Sequence, residues 1–197
     1  MHVYIVRHGQ TAWNIEERAQ GHTDIPLDEL GRRQAEATAD LLSDQPIAKI
    51  LTSDLVRSLE TANVVARRVA APVETNTLLR ERFFGQWEGK TKLEIKPTST
   101  SAENLYDVLL ELEASGIETL QEAWNRFGNV ADQLRLTESN TLVVSHGGTC
   151  PLLLCQLIGA PLAAVGAFRF PNCCVAELRK LKTGQFRLVR FNCGSGE

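Results

Sequence analysis

Two histidines, His8 and His146, each end a short apolar run, and each is followed by glycine. A parallel α/β sheet brings the carboxyl ends of its strands to one edge, so we expect both imidazoles to lie there together. Arg7 directly precedes the first histidine, and Arg57 follows a third apolar run that ends at the same edge. Guanidinium groups provide forked donors that match phosphate oxygens. Two arginines and two histidines at this edge could therefore neutralise a phosphoryl dianion.

The composition indicates a globular chain with a mildly acidic balance. The chain has 197 residues, 43% hydrophobic and 23% charged, which fits one ordinary domain, 1–197, and excludes collagen-like and disordered classes. Lys and Arg total 21, against 24 for Asp and Glu. A formal charge of −3 gives no general basic surface, so we expect no nucleic-acid partner and a local anion site.

The cysteine pattern favours a reducing compartment. The five cysteines form an odd set without C-x-x-C spacing, which predicts reduced core thiols rather than disulfides or a zinc site: Cys150, Cys155, Cys173, Cys174 and Cys193. The apolar stretch before Arg7 is too short for a signal peptide. No Asp, Glu, Lys or Arg occurs from Ser139 to Phe168, but glycines and prolines divide this segment as in a buried α/β core. We therefore expect a cytoplasmic protein without a membrane partner.

Apolar periodicity outlines alternating strands and helices. Strands are predicted over residues 3–6, 49–52, 72–75, 141–145, 175–181 and 186–191. Helices are predicted from Leu30 towards Pro46, after an N-cap at Ser53, after a capping box from Thr119 to Glu122, and over 152–158. The helix after Ser53 is predicted to bury Leu55, Leu59, Ala62, Ala66 and Val69. The alternation favours parallel pairing of the strands, and the last two strands form a hairpin.

The apolar periodicity is interrupted between residues 80 and 116. Residues 80–89 are charged and aromatic without a regular period, which indicates a functional loop. Residues from about 90 to 116 are predicted to form a small cap insertion, with a short helix around Leu105, Val108 and Leu112. The prediction is thus an α/β three-layer sandwich with a mostly parallel central sheet, helices on both faces, this helical cap and a C-terminal hairpin.

Several motifs stand in an order that resembles one enzyme family. They are Arg7-His8-Gly9, Trp13-Asn14, Gln20-Gly21, Ser53-Asp54-Leu55 with Arg57, Glu81 with residues 84–89, and Val144-Ser145-His146-Gly147-Gly148. This ordered set is similar to the histidine phosphatase family, which includes the cofactor-dependent phosphoglycerate mutases. The resemblance spans both halves of the chain and leaves mainly the cap unmatched.

The resemblance implies a role for each matched residue. His8 would be the nucleophile that accepts the phosphoryl group, and Glu81 would be the general acid and then the base for water. The phosphoryl oxygens would be held by Arg7, Arg57 and His146. Further phosphate-binding or pocket positions would be Asn14, Gln20, Gly21 and Gly147. Because side chains supply the positive charge, we expect neither a metal nor a cofactor.

The assignment of Glu81 has alternatives in the sequence itself, and two further histidines, His22 and His2, stand outside the matched set. Glu81 lies between two arginines and could instead form an exposed ion pair, which contributes little. Glu88 is the second candidate for the acid. His22 could either contact a ligand or fill a turn, and His2 is expected to be structural.

The cap separates the phosphatases of this family from its mutases. Mutases place basic residues there for a second anionic group, whereas residues 97–125 contain no Lys or Arg here. We therefore expect a phosphatase acting on a small phosphomonoester, with segments such as Phe168-Arg169-Phe170 similar to α-ribazole-5′-phosphate phosphatases. Sugar or glycerate phosphatases, a phosphoglycerate mutase-type transferase and a phosphate-binding module remain open, as does assembly into a homodimer.

Overall fold

A six-stranded mixed sheet forms the centre of the protein. The computed structural model describes residues 1–91, 93–95, 105–111 and 116–192. The strands are β1 (His2–Arg7), β2 (Lys49–Thr52), β3 (Val73–Thr75), β4 (Thr141–Ser145), β5 (Val175–Lys180) and β6 (Phe186–Asn192). The helices are α1 (Ala12–Ile15), α2 (Glu29–Leu42), α3 (Val56–Val69), α4 (Leu105–Glu111), α5 (Leu120–Leu136) and α6 (Cys150–Ile158). The sheet order is β3-β2-β4-β1-β5-β6, which confirms the predicted α/β class.

The register of the two central strands brings the two histidines together. Strands β3, β2, β4 and β1 run parallel, and β5 and β6 continue the sheet antiparallel. The pairing of β1 with β4 sets Arg7 opposite Ser145. The next residue on each strand is a histidine, and the N–H of His8 donates to the Ser145 carbonyl at 3.0 Å. His8 and His146 therefore leave the same edge of the sheet side by side.

Alternate side chains of β1 pack against helices on opposite faces of the sheet. Val3 and Ile5 belong to one core with residues of α5 and α6, among them Phe127. Tyr4 and Val6 belong to a second core with residues of α2 and α3. The two-residue period of a strand thus places helices on both faces, as the sequence predicts.

Helix α3 begins later than predicted. Ser53 is not its N-cap, because the Ser53 hydroxyl accepts the N–H of Leu55 at 3.3 Å within the preceding turn. The helix starts at Val56, whose N–H donates to the carboxylate of Asp24 at 2.7 Å. The prediction was wrong at this point because the capping group comes from 32 residues away and leaves no local signal.

The buried face of α3 also differs from the prediction. It consists of Arg57, Ser58, Thr61, Ala62 and Val65. Leu59, Ala66 and Val69 are only half-buried. Apolar spacing favours a helix face made of aliphatic residues, whereas this helix turns polar side chains inward where its first turns meet the two histidines.

Part of the predicted cap and the end of the chain lie outside the described residues. These positions are 92, 96–104, 112–115 and 193–197, and they include Lys92, Lys96, Glu103, Leu112, Glu113 and Cys193. The described cysteines are all buried and form no disulfide: Cys150, Cys155, Cys173 and Cys174. Within the described ranges, no helix is both long enough and apolar enough to cross a membrane.

Gly31 lies where α2 touches the chain just after His8. An added Cβ at Gly31 would overlap the backbone of Gln10. Gly31→Ala is therefore expected to lower the free energy of unfolding by about 1–3 kcal/mol, because main-chain atoms would have to move. Urea denaturation measures this loss, and an unchanged midpoint would contradict the close backbone contact.

Gly128→Ala is the matched control in the middle of α5. The nearest atom to its added Cβ lies 3.6 Å away, which is ordinary contact distance. Alanine should stabilise the protein here by about 0.5–1 kcal/mol, because glycine loses more backbone entropy in a helix.

Candidate active site

His8 is held as a neutral imidazole with one defined tautomer. Its side chain is almost fully buried. Nδ1 lies 2.7 Å from the Gly9 carbonyl, which can only accept, so Nδ1 carries the proton and Nε2 keeps its lone pair. Burial lowers the pKa of His8 well below its usual value, and the charges of Arg57 and Arg7 lower it further. The ring is therefore neutral at neutral pH, and its Nε2 lone pair could act as a nucleophile.

Arg57 is a buried guanidinium whose donors are fixed by neighbouring oxygens and by His146. Its Nη2 donates to the Gly21 carbonyl at 2.7 Å, its Nη1 to the Thr23 carbonyl at 2.9 Å, and its Nε to Nδ1 of His146 at 3.2 Å. Burial lowers the pKa of Arg57 to about 10, so the group stays charged at neutral pH. Gly21, expected in the pocket, instead supports Arg57 through its carbonyl at a backbone φ of 53°.

Arg7 is the second cation of the site, with a half-buried side chain whose Nε is buried. Its Nη1 donates to the Phe170 carbonyl at 2.8 Å, while its Nε has no hydrogen-bond partner among the described residues. Burial lowers the pKa of Arg7, because loss of hydration disfavours the charged form of the guanidinium. An added Cβ at Gly147 would lie 3.1 Å from the guanidinium carbon, so glycine at this position leaves room for Arg7.

His146 lies against His8 and Arg57 with no exposed surface. The two imidazole centroids are 5.2 Å apart with the rings tilted edge to face. Because Nδ1 of His146 accepts from Arg57, Nε2 carries the proton and lies 3.4 Å from the Ser58 hydroxyl. Burial, followed by the charge of Arg57, lowers the pKa of His146 well below its usual value. Both histidines are therefore neutral in the folded protein.

Glu81 reaches the same cavity from the loop 80–89. Its carboxylate accepts the N–H of Gly148 and the N–H of Arg82, both at 2.9 Å, and only 8% of the residue is exposed. An added Cβ at Gly148 would lie 2.7 Å from the carboxylate, so this glycine is needed for the approach. The exposed ion pair considered from sequence does not form, because Arg80 pairs with Asp54 instead.

Glu88 and His22 support this loop rather than the cavity. The Glu88 carboxylate accepts the N–H groups of His22, Thr23 and Phe84 and the Thr23 hydroxyl, at 2.6–3.2 Å. His22 Nε2 lies 2.9 Å from the Glu81 carbonyl. Glu88 is therefore the clamp of the loop and not a second acid, and His22 fixes the backbone of Glu81. His2 pairs with Glu177 at 2.8 Å, far along the strand from this edge.

Arg126, which the sequence did not single out, anchors the loop from α5. Its guanidinium forms a forked pair with Glu118 at 2.7 and 2.6 Å. The same group donates to the carbonyls of Leu78 and Arg80 at 2.7 and 2.8 Å. From sequence Arg126 is an ordinary charged residue on an amphipathic helix, so no signal distinguishes this role.

Asn172 connects two of the residues that the sequence predicts for the site. Its Nδ2 donates to the His8 carbonyl at 3.0 Å and to Oδ1 of Asn14 at 3.2 Å. Asn14 also closes the capping box of α1 with Thr11. Asn172 and Asn14 both line the cavity, and together they fix the main chain at His8.

These residues surround a cavity of about 500 Å³. Arg7, His8, Arg57, Glu81 and Gly147 line one part of its wall, together with Asn14 and Gln20. The rest of the wall comes from α4, from Phe84, and from residues 169–172. Across the described ranges, no group of three His, Cys, Asp or Glu side chains could hold a metal ion.

A comparison with protein families identifies the family to which the chain belongs. The model of the histidine phosphatase superfamily (branch 1) matches residues 3–194. The chain belongs to the histidine phosphatase superfamily. The resemblance inferred from the ordered motifs is therefore confirmed.

The relatives of this chain include proteins named as mutases and proteins named as phosphatases. A Proteus mirabilis protein named "Probable phosphoglycerate mutase GpmB" is 34% identical over 184 residues, covering 90% of this chain and 84% of that protein. A mycobacterial glucosyl-3-phosphoglycerate phosphatase, solved with VO3, has a TM-score of 0.86 at 28% identity, covering 98% and 99%. The α-ribazole phosphatase of Shigella flexneri has a TM-score of 0.84 at 28% identity, covering 98% and 96%.

The two neutral histidines make the stability of the protein depend on pH. Because the pKa of each is lowered in the folded state, the unfolded chain binds more protons once the pH falls below the ordinary value of 6.5. The free energy of unfolding should fall between pH 7 and pH 5, by about 2 kcal/mol for each histidine that stays neutral. Denaturation of the His8→Gln variant should show a smaller fall than the wild type. The same fall in both proteins would contradict a buried neutral His8.

Proposed function

We propose that the protein is a phosphomonoester hydrolase that works through a phosphohistidine formed on His8. The observation that carries the proposal is an imidazole whose Nε2 keeps its lone pair, beside the buried guanidinium of Arg57 and the partly buried one of Arg7. Phosphoryl transfer requires mainly positioning and fixed positive charge around the phosphoryl oxygens. In this proposal Arg7 and Arg57 stabilise those oxygens, and the unpartnered Nε of Arg7 gains an acceptor. His146, expected from sequence to hold the oxygens as well, instead positions Arg57 through its Nδ1.

In the first step, Nε2 of His8 attacks phosphorus and the bond from phosphorus to the ester oxygen breaks. The protonated Glu81 carboxyl gives its proton to the departing alkoxide, which leaves as the free alcohol. Positive charge on the phosphorylated imidazole is delocalised to Nδ1–H, which the Gly9 carbonyl holds at 2.7 Å. This contact also keeps the ring in place while the bond forms.

In the second step, the Glu81 carboxylate accepts a proton from water as that water attacks phosphorus. The bond from phosphorus to Nε2 breaks, and its electron pair returns to the imidazole. Inorganic phosphate leaves, and both His8 and Glu81 regain their starting protonation states. Neither step calls for a metal ion or an added cofactor.

For the substrate, we propose a small metabolite phosphate such as α-ribazole 5′-phosphate or a sugar phosphate. Similarity to the Shigella α-ribazole phosphatase and the mycobacterial glucosyl-3-phosphoglycerate phosphatase supports this choice. The absence of Lys and Arg from residues 97–125 supports it as well, because a second phosphate would require counter-charges there.

A phosphoglycerate mutase-type transferase is the second candidate. It is favoured by the relatives named as probable phosphoglycerate mutases. One of them is 34% identical to this chain over 84% of its own length, whereas each of the two phosphatases compared above is 28% identical. Both candidates form the same phosphohistidine. They differ in the acceptor of the phosphoryl group, which is water in the hydrolase and a second hydroxyl in the mutase.

The wild-type enzyme should incorporate radioactive label from a ³²P-labelled phosphomonoester after acid-free quenching, at one site per chain. His8→Asn should abolish both the label and turnover, because it removes the attacking nitrogen. His2→Asn is the matched control and should keep full labelling. His2 lies at the other end of β1, where it pairs with Glu177 of β5. Stable label in a folded His8→Asn protein would contradict the assignment.

A chase of the labelled enzyme separates the hydrolase from the mutase. In buffer with EDTA and excess unlabelled 3-phosphoglycerate, the hydrolase should release its label as inorganic phosphate. Transfer of the label to a bisphosphoglycerate would instead support the mutase and overturn the hydrolase.

Glu81→Gln should slow cleavage of alkyl phosphates by about 10²–10⁴-fold, because their alkoxides leave poorly without a proton. Cleavage of p-nitrophenyl phosphate should fall much less, since p-nitrophenolate leaves without protonation. Glu74→Gln, at an exposed position of β3, is the control and should change neither rate. Equal losses on both substrates would move the acid role away from Glu81.

A further inference from the structure

Much of the cavity wall beyond the phosphate-binding residues is apolar. Helix α4 contributes the half-buried side chains of Leu105, Leu109 and Leu110, together with Tyr106, whose hydroxyl donates to the Phe168 carbonyl at 3.3 Å. Phe84 continues this wall from the loop 80–89. Apolar surface that faces a cavity gains free energy when an apolar group of a ligand displaces the water there. This wall, the α4 wall, therefore favours a substrate with an apolar face.

The α4 wall is not lined by cations available for a second anion. Arg82 is almost fully buried, and its guanidinium donates to the carbonyls of Glu118 and Leu109 at 2.5–3.1 Å. These hydrogen bonds attach α4 to the loop. They also engage the guanidinium donors of Arg82 with backbone oxygens. An anionic group placed against this wall would lose its hydration without gaining an ion pair.

The charged residues near the solvent are of both signs. Arg18 is paired with Glu16 at 2.6 Å and with Glu94 at 3.6 Å. Arg169 and Glu17 line the cavity as exposed side chains of opposite charge. Among the described residues, the mouth of the cavity therefore offers both signs of charge to the leaving group rather than a cluster of cations for a second anion.

Gln20 provides a polar group beside the phosphate-binding residues of the cavity. It lines the cavity with only 8% of its surface exposed, and its Oε1 is buried without a hydrogen-bond partner among the described residues. A buried acceptor left unpaired costs about 1–3 kcal/mol, which a donor on the ligand would recover. A hydroxyl or N–H of the substrate is the group that this carbonyl can accept.

We infer that the leaving group is an uncharged alcohol with an apolar ring face and a hydroxyl near the ester oxygen. The ring packs against the α4 wall, and the hydroxyl donates to Gln20 Oε1. This inference rests on the proposed hydrolase function and narrows its substrate class. It separates ring-bearing alcohols from small or carboxylate-bearing ones such as glycerate.

Three synthetic esters of similar leaving-group acidity test the apolar wall without any variant. They are ethyl phosphate, cyclohexyl phosphate and 2-carboxyethyl phosphate, compared by kcat/KM for phosphate release. Cyclohexyl phosphate should be preferred over ethyl phosphate by at least about tenfold, and the carboxylate-bearing ester should be the poorest of the three. Equal rates, or a preference for the carboxylate, would overturn the inference.

A fourth ester, trans-2-hydroxycyclohexyl phosphate, tests the role of Gln20. The wild type should prefer it over cyclohexyl phosphate by about tenfold, because the hydroxyl pairs with Oε1. Gln20→Leu should remove this preference while still discriminating cyclohexyl from ethyl phosphate. No preference in the wild type would show that Gln20 does not read a hydroxyl.

Leu109→Ala tests the wall itself and should reduce the cyclohexyl-to-ethyl ratio by about threefold or more. Leu136→Ala is the matched control, since Leu136 is 84% exposed on α5 and lies outside the cavity. An unchanged ratio in Leu109→Ala would overturn the inference.

The failure of the inference can be separated from that of the hydrolase proposal. If the enzyme releases phosphate from p-nitrophenyl phosphate and forms phosphohistidine but shows no ring preference, only the inference is wrong. If no ester is cleaved and no phosphohistidine forms, both are wrong.

Discussion

Burial of positive charge beside two imidazoles is the constraint on which the rest of the structure depends. Arg57 is buried at the same sheet edge as His8 and His146, and the half-buried Arg7 lies there with its Nε buried. Desolvation and the neighbouring guanidinium charges both disfavour a protonated imidazole, so the histidines stay neutral and the arginines stay charged. That combination can supply a nucleophile, His8, and two cations for an anion, Arg7 and Arg57.

Such a site is stable because most of its buried polar groups are satisfied by the surrounding chain. Carbonyls of Gly21, Thr23 and Phe170 receive the guanidinium donors, and these oxygens belong to turns rather than to the sheet. Glu88 accepts the N–H groups of Thr23 and Phe84, and Arg126 donates to the Arg80 carbonyl. These two side chains therefore hold the turn at Thr23 and the backbone on either side of Glu81. Glu88 and Arg126 therefore position the backbone around the site. Helix α4 completes the wall of the cavity, largely with aliphatic side chains.

The features that could be predicted from the sequence are those that depend on local apolar pattern and on strand register. Apolar runs located the strands, and the placement of His8 and His146 directly after them was enough to bring them together. Glu81 could be assigned only through the resemblance to a family, because its flanking arginines suggest an exposed ion pair. Asp24, Arg126 and Asn172 could not be predicted, since each acts on backbone 32 to 164 residues away and resembles an ordinary surface residue locally. Gly21 shows the same limit, because a motif position does not reveal whether its backbone faces the ligand or the arginine behind it.

The central claim is that His8 is a neutral ring protonated on Nδ1, and ¹⁵N NMR measures this most directly. Long-range ¹H–¹⁵N spectra at pH 7 and pH 5 would identify the His8 signals by their loss in His8→Gln. The expected result is a protonated Nδ1 and an unprotonated Nε2 at both values, because burial and the two arginines hold the pKa low. A cationic His8 ring at pH 7, or a proton on Nε2 instead of Nδ1, would contradict the account.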